Sequence, residues 1–330
     1  MASNTATRTY TIYIARPKVG EIVRYTPDTP STGYDLSTAK SGWSSAQTID
    51  GKYDPTTWKI MEVDENGNIT KLLGIGAKEV IFCGSAGYNN GVYLLNDICK
   101  SRYGNASLGA TARSLNIEDI ELRMNSKGIA ARNSYKSIDS IQYGTTAKYT
   151  GTDTKYPAIY AQEKYSGVDV SDVADGTQVI TESADVTAQA RMNPDGKSGS
   201  DDIYTTLPET SETTGPSKTN LTCTQTSYGG TQSSSYYDDA NFYNMIFGAR
   251  TNFWLASRSV YCRLSTHYSY ATFCLCDVDF SLLGGYDLFA SFGRSDIGGD
   301  DCLAPVVSLG SGIQVKSGSG TTSDPYVIGK

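Results

Sequence analysis

Between Leu255 and Ile313 the chain has no Lys, Glu, Gln, Trp or Met. Those types make up 42 of the 330 residues. At ordinary usage the run Tyr261–Cys302 would therefore hold about five of them. It holds none, and Asn and Pro are missing from it as well. What fills it is Tyr, Ser, Asp, Gly, Cys, Phe and Arg, without a repeat or a catalytic spacing.

Other scarcities bear on chemistry. His267 is the only histidine, so a mechanism with a histidine base must pass through one residue of this irregular run, which argues against a hydrolytic triad. There is no Gly-x-Ser-x-Gly elbow, and Gly74-Ile75-Gly76 lacks the Lys-Ser/Thr that completes a phosphate loop. The net charge is -7 and no Lys/Arg cluster stands out, so no nucleic-acid partner is expected. The first residues, Met1 to Pro17, show no apolar core of a signal peptide, and no apolar run approaches the roughly 18 residues of a membrane span. A product made in the cytoplasm, without membrane insertion, is expected.

The seven cysteines are odd in number and show no paired spacing. Four of them, Cys262, Cys274, Cys276 and Cys302, fall in the restricted run, and free thiols are expected. Cys262, His267, Cys274 and Cys276 offer zinc donors, but their spacing matches no finger or ribbon. Neither a metal nor another cofactor is expected.

Around the restricted run the chain reads as ordered. Ile22 to Tyr25 is β-rich, as is Tyr10 to Ile14, and Trp58 to Val63 alternates before an Asn66-Gly67 turn and a second run, Ile69 to Leu73. This predicts a hairpin. Asp64, Asn66 and Asn68 mimic the start of a calcium loop, but the last ligand position holds Ile75 where Glu is required. Val92, Leu95, Cys99 and Tyr103 form a helical stripe that Gly104 ends. A second helix is predicted from an Asn116 cap, with Asp119 in its first turn, through Met124 to a stop at Gly128.

From residue 129 to 239 the composition shifts to Thr, Ser, Gly, Asp and Tyr with no clear period. It reads as a loop-rich insertion, the alternative being a linker between domains. Residues 1–128 and 240–330 are then two parts of one domain. The run is flanked by core-like Phe253-Trp254-Leu255-Ala256-Ser257-Arg258 and Leu303-Ala304-Pro305-Val306-Val307-Ser308-Leu309. Val306, Val307 and Leu309, then Tyr326 to Ile328, predict closing strands.

Those flanks carry a resemblance, together with Tyr88-Asn89-Asn90, the segment Ala112 to Asp119 and the terminal Ser323 to Ile328. The chain resembles the variable proteins of diversity-generating retroelements found in phages and prophages. The resemblance implies an α+β chain with a C-type-lectin fold of the formylglycine-generating-enzyme type: small mixed sheets, two helices and a C-terminal variable surface. In that family a reverse transcriptase diversifies adenines in AAC or AAT codons. From such codons every amino acid is reachable except Lys, Glu, Gln, Trp and Met, the five absent here. The family implies a phage or prophage receptor-binding protein on the virion or at the bacterial host surface. Its partner would be a protein or glycan of a bacterial surface, and it would assemble as a homo-oligomer, trimers being common in that family.

Within 261–302, Tyr261, Tyr268, Tyr270, Phe280, Tyr286 and Phe292 offer contact area at low entropic cost, with Ser265, Thr266 and Ser269 as adaptable hydrogen-bonding groups. Arg263 and Arg294 add forked donors. His267, Asp277, Asp279, Asp287, Asp296, Asp300 and Asp301 complete the candidate surface, the aspartates expected to be solvated and to face a basic or hydroxyl-rich partner. Trp254 is expected to anchor its floor and Arg258 to hold loop carbonyls. Leu264, Leu275, Val278, Leu288 and Phe289, with Cys262, are expected to pack inward. The C-type-lectin signatures for sugar binding through calcium are absent, and no cysteine sits in a motif for formylglycine chemistry. A surface decoration protein is the alternative, and a metal-dependent enzyme of the formylglycine-generating type the distant one.

Overall fold

A computed structural model describes residues 16–28, 32–36, 47–136, 140–143, 191–192, 221–224, 230–248, 250–264, 269–290 and 298–330. The described chain opens with β1 (Ile22–Arg24), β2 (Tyr34–Asp35) and β3 (Thr48–Ile49). The hairpin β4 (Trp58–Val63) and β5 (Ile69–Gly74) follows, then β6 (Glu79–Cys83) and α1 (Gly84–Arg102). Next come β7 (Thr111–Ser114), α2 (Ile117–Glu121) and α3 (Ser126–Lys136). Four short strands lie within or next to the predicted insertion: β8 (Ser140–Tyr143), β9 (Arg191–Met192), β10 (Leu221–Thr224) and β11 (Gly230–Thr231). The last third holds α4 (Ala240–Phe247), β12 (Phe253–Leu264), β13 (Ser269–Asp279), β14 (Leu282–Ala290) and β15 (Gly298–Cys302). It ends with β16 (Pro305–Ser308), β17 (Gln314–Ser317) and β18 (Tyr326–Gly329).

The architecture is α+β. One seven-stranded sheet has the order β17-β18-β1-β4-β5-β16-β7, and the other runs β11-β14-β13-β12-β15-β6, with β9 added to β13. Small sheets and two helices were expected; the sheets are larger, and four α-helices are present among the described residues. The predicted closing strands form, and β18 pairs in parallel with β1, Val23 opposite Tyr326.

The predicted hairpin is present, and Asp64 shapes its turn. Asp64 accepts from the backbone N–H groups of Asn66 at 2.9 Å and Asn68 at 2.8 Å. Its carboxylate is therefore spent on stabilising the turn, in which Gly67 takes a φ of +86°.

The α1 stripe is also as read: Val92, Leu95, Cys99 and Tyr103 are buried. They face Trp58, Ile60, Leu72 and Trp254 in one core cluster, and each such aliphatic side chain contributes about 1.5–3 kcal/mol by burial. At the helix end Arg102 is buried, its Nη2 donating to Asp54 Oδ1 at 2.8 Å and its Nη1 to the Ile49 carbonyl at 3.0 Å.

Asn116 caps α2 as predicted, and Asp119 returns the bond in a capping box. Asp119 also takes both terminal nitrogens of Arg113. The helix does not continue to Gly128. It ends at Glu121, and Gly128 lies inside α3. There a β-carbon would stand 2.5 Å from the Tyr236 carbonyl oxygen, so glycine serves close packing and not termination. Both predicted edges of the insertion fall in packed structure, since Tyr237 is buried in the second core cluster beside Phe242 and Ile246.

Leu303 and Ala304 carry the chain from one large sheet to the other. Gly76 N–H donates to Leu303 O at 2.8 Å, Leu115 N–H to Ala304 O at 2.8 Å, and Ala256 N–H to Leu115 O at 2.7 Å. The two flanks of the restricted run are thus tied together through Leu115. Phe253 to Ser257 and Leu303 to Val307 are all buried, as predicted for core.

Candidate functional site

The restricted run forms most of the second sheet. Strand β13 alternates: Cys276 and Val278 face the cluster around α4, while Leu275 joins the cluster under α1. Leu275 and Val278 are buried as expected for packing positions. Cys99, Cys274, Cys276 and Cys302 are buried thiols. Burial, with Glu79 and Asp301 nearby, pushes the Cys302 thiol up to about 11.

Trp254, the residue expected at the floor, is fully buried. Its Nε1 donates to the Val80 carbonyl at 2.7 Å. Phe82 meets the indole edge-on at a centroid distance of 5.6 Å, and Tyr286 meets it at 5.7 Å. Trp254 pairs across strands with Asp277, and Asp277 with Gly284, so these residues share one face of the sheet. On β15, Gly299 lies under the Tyr286 ring, where a β-carbon would run into that ring and the indole. Asp301, two residues on, occupies the same face.

The carboxylates gather here. Asp277 and Asp301 are buried, Asp279 is half-buried and Asp300 is exposed. Asp301 has zero exposure, and neither of its carboxylate oxygens has a hydrogen-bond partner. Burial first, then Asp277, Asp300, Asp279 and Glu79, push its carboxyl up from 3.8 to about 8. The Tyr286 phenol is raised by burial and by the same group, Asp300, Asp301, Asp277 and Asp279. Solvated, partner-facing aspartates were expected; Asp277 and Asp301 are instead interior. The Gly298-Gly299-Asp300-Asp301 stretch belongs to strand β15, which is paired along its length with β6.

At the β13–β14 turn, Asp279 pairs with Leu282 across a two-residue loop. Phe280 in that loop has a φ of +45°, in the left-handed region. Of the four exposed large hydrophobic residues among those described, three belong here: Phe280 at 51%, Leu282 at 41% and Tyr286 at 36% exposure. Beside them opens a cleft of about 810 Å³, reached by Lys59, Glu79, Arg250, Asn252, Phe280 and Asp300.

Of the other predicted site residues, Tyr261 and Arg263 lie on β12, Tyr270 on β13 and Asp287 on β14. Arg263 is the cross-strand partner of Tyr270, and Asp287 that of Cys274. Arg258, also on β12, pairs with Leu275. Cys262 and Leu264 fall on β12, and Leu288 and Phe289 on β14. Ser265, Thr266, His267, Tyr268, Phe292, Arg294 and Asp296 lie outside the described residues. The structure therefore brings together Trp254, Asp277, Asp279, Phe280, Tyr286, Asp300 and Asp301.

Sequence reading missed Glu79, Val80, Gly284 and Gly299. The paired glycines Gly284-Gly285 and Gly298-Gly299 were the available signal, because an isolated glycine in a strand marks close approach of another group. Among the described residues, no three Asp, Glu, Cys or His side chains are placed to hold a metal ion. No helix among them is long and apolar enough to cross a membrane. Comparison with protein-family models, with curated proteins and with solved structures gives no match for this chain.

Proposed function

We propose that the chain is a non-enzymatic receptor-recognition protein of the retroelement-diversified kind, carried by a phage or prophage and directed at a molecule of the bacterial surface. The observation that carries this is the coincidence of two independent features in one place. The segment with the restricted alphabet also holds Phe280, Leu282 and Tyr286, three of the four exposed large hydrophobic residues among those described. Exposed apolar side chains ringed by polar groups mark interaction surfaces, and aromatic residues on a rigid base suit a paratope.

The finer fold belongs to the same proposal: a C-type-lectin fold whose last strand returns beside its first, as β18 does beside β1. Display as a trimer would let weak single contacts gain avidity. A host-cell adsorption assay tests the function. Wild type is expected to bind one or a few strains, and a Phe280→Ala/Tyr286→Ala variant to lose at least tenfold in binding while keeping its circular dichroism. Undiminished adsorption by a folded variant would favour a passive coat.

A further inference from the structure

We propose that the cleft beside the β13–β14 turn binds a short acidic polysaccharide segment, a chain of sugar rings each carrying a carboxylate. This deepens the recognition surface and so rests on that reading.

The cleft, of about 810 Å³, has walls from both large sheets. In the first sheet Ile22 of β1, Lys59 of β4 and Leu73 of β5 are register partners in one row, and all three line it. Paired residues share a sheet face, so the half-buried Lys59 is set between two apolar neighbours. The second sheet contributes Glu79 and Asp300. Glu79 pairs with Cys302, two residues beyond Asp300, which puts both acids on one face of β6 and β15. Arg250 comes from the loop after α4, fastened to β15 where the Cys302 N–H donates to the Asn252 carbonyl at 3.1 Å.

Two observations mark this cleft as a site. Arg250 and Phe280, the two non-glycine residues with left-handed backbone among those described, at φ of +53° and +45°, both line it. Backbone strain of that kind collects at ligand clamps. Its charged side chains Lys59, Arg250, Glu79 and Asp300 form no ion pair with one another or with any other described residue. Cations and acids therefore share the cleft without neutralising each other.

The lining selects the ligand. Lys59 and Arg250 suit a carboxylate, which a guanidinium takes with two parallel N–H donors. Glu79 and Asp300 are acceptors for hydroxyl groups, and the exposed Thr56, Thr57 and Thr322 add hydroxyls of their own. The exposed Phe280 ring gives a flat apolar face on which a sugar ring can lie. A carboxylated sugar uses all of these groups, whereas a neutral sugar leaves the cations unanswered and a simple peptide brings few hydroxyls. The volume falls within the roughly 300–1,000 Å³ of small-molecule sites. Lys59 and Met245 also border a second hollow of about 420 Å³, lined by Lys18 and Asn241, so a chain of rings can extend from one into the other. Of the residues lining the larger cleft only Phe280, Asp300 and Cys302 belong to the restricted run. The constant walls would hold the carboxylates, and the run would adjust the fit.

The test is calorimetry on the full chain in EDTA with trigalacturonate, its methyl ester as the uncharged copy and trialanine as a zwitterion. The wild type is expected to bind trigalacturonate, more weakly as salt rises, and to take up neither control. Lys59→Gln and Arg250→Gln are each expected to weaken binding at least about tenfold. Arg250 is exposed, so its variants carry the test if Lys59→Gln does not fold. Arg250→Gly is expected to weaken binding as much and yet melt higher than wild type, because glycine accepts that backbone. Equal binding of the methyl ester would overturn the proposal, as would binding of trialanine instead, binding that requires calcium, or unchanged affinity in the folded variants. If the wild type adsorbs to cells but takes up no trigalacturonate, the cleft proposal fails and the recognition reading stands. If it takes up trigalacturonate, with the expected losses in the variants, but adsorbs to no cell, the reverse holds.

Discussion

The Trp254 indole meets the Tyr286 ring edge-on at 5.7 Å while its Nε1 donates to the Val80 carbonyl at 2.7 Å. One fixed side chain thus supports an exposed one from below, and its own orientation is fixed by backbone. Replacing Trp254 by Phe should leave the Val80 carbonyl without this donor, at a cost of about 1–3 kcal/mol. Urea denaturation should show that loss, and cell adsorption should weaken with it because Tyr286 loses its support.

Phe280 predicts the opposite pairing of effects. Its φ of +45° favours glycine, and holding a bulky residue there costs on the order of 1 kcal/mol. Phe280→Gly should therefore raise unfolding stability by about that amount and lower receptor binding. Loss of stability in this variant would show that the ring packs, and does not bind.

Asp301 sets a pH dependence whose sign follows from its upward displacement, from 3.8 to about 8. A carboxyl raised in the folded state favours folding at low pH, and that contribution is lost as pH rises through about 8. Relative to Asp301→Asn, the wild type should lose stability between about pH 4 and pH 8, by a few kcal/mol in order of magnitude. Melting temperatures of both proteins across that range decide it; parallel curves would show that Asp301 is not displaced.

Away from the site, Arg102 and Asp54 hold the end of α1 to the β3–β4 connection with a forked pair at 2.8–3.1 Å. Asp54→Ala strands the guanidinium, which is buried, and should destabilise by about 3 kcal/mol or more. Chemical denaturation reads this directly, and adsorption per folded molecule should not change.

How legible this was in sequence depended on the range of the interactions. The β4–β5 hairpin, the α1 stripe and the Asn116 cap are local patterns, and each is present as read. Gly128 was misread because its reason is the carbonyl of Tyr236, more than a hundred residues away in sequence. The same holds at the site. Trp254 could be read as buried from its apolar surroundings, whereas the interior position of Asp301 depends on β15 pairing with β6, which lies far away in sequence. Composition treats every aspartate of the run alike, and only the sheet separates exposed Asp300 from buried Asp301.

Sequencing the gene from sibling isolates tests the central claim most directly. The account predicts changes confined to codons between Tyr261 and Cys302, derived from AAC or AAT. They should be frequent at exposed Phe280, Leu282, Tyr286 and Asp300 and rare at buried Leu275, Val278 and Leu283, with Phe253–Arg258 and Leu303–Leu309 unchanged. Substitutions spread evenly along the chain, or absent from 261–302, would contradict it.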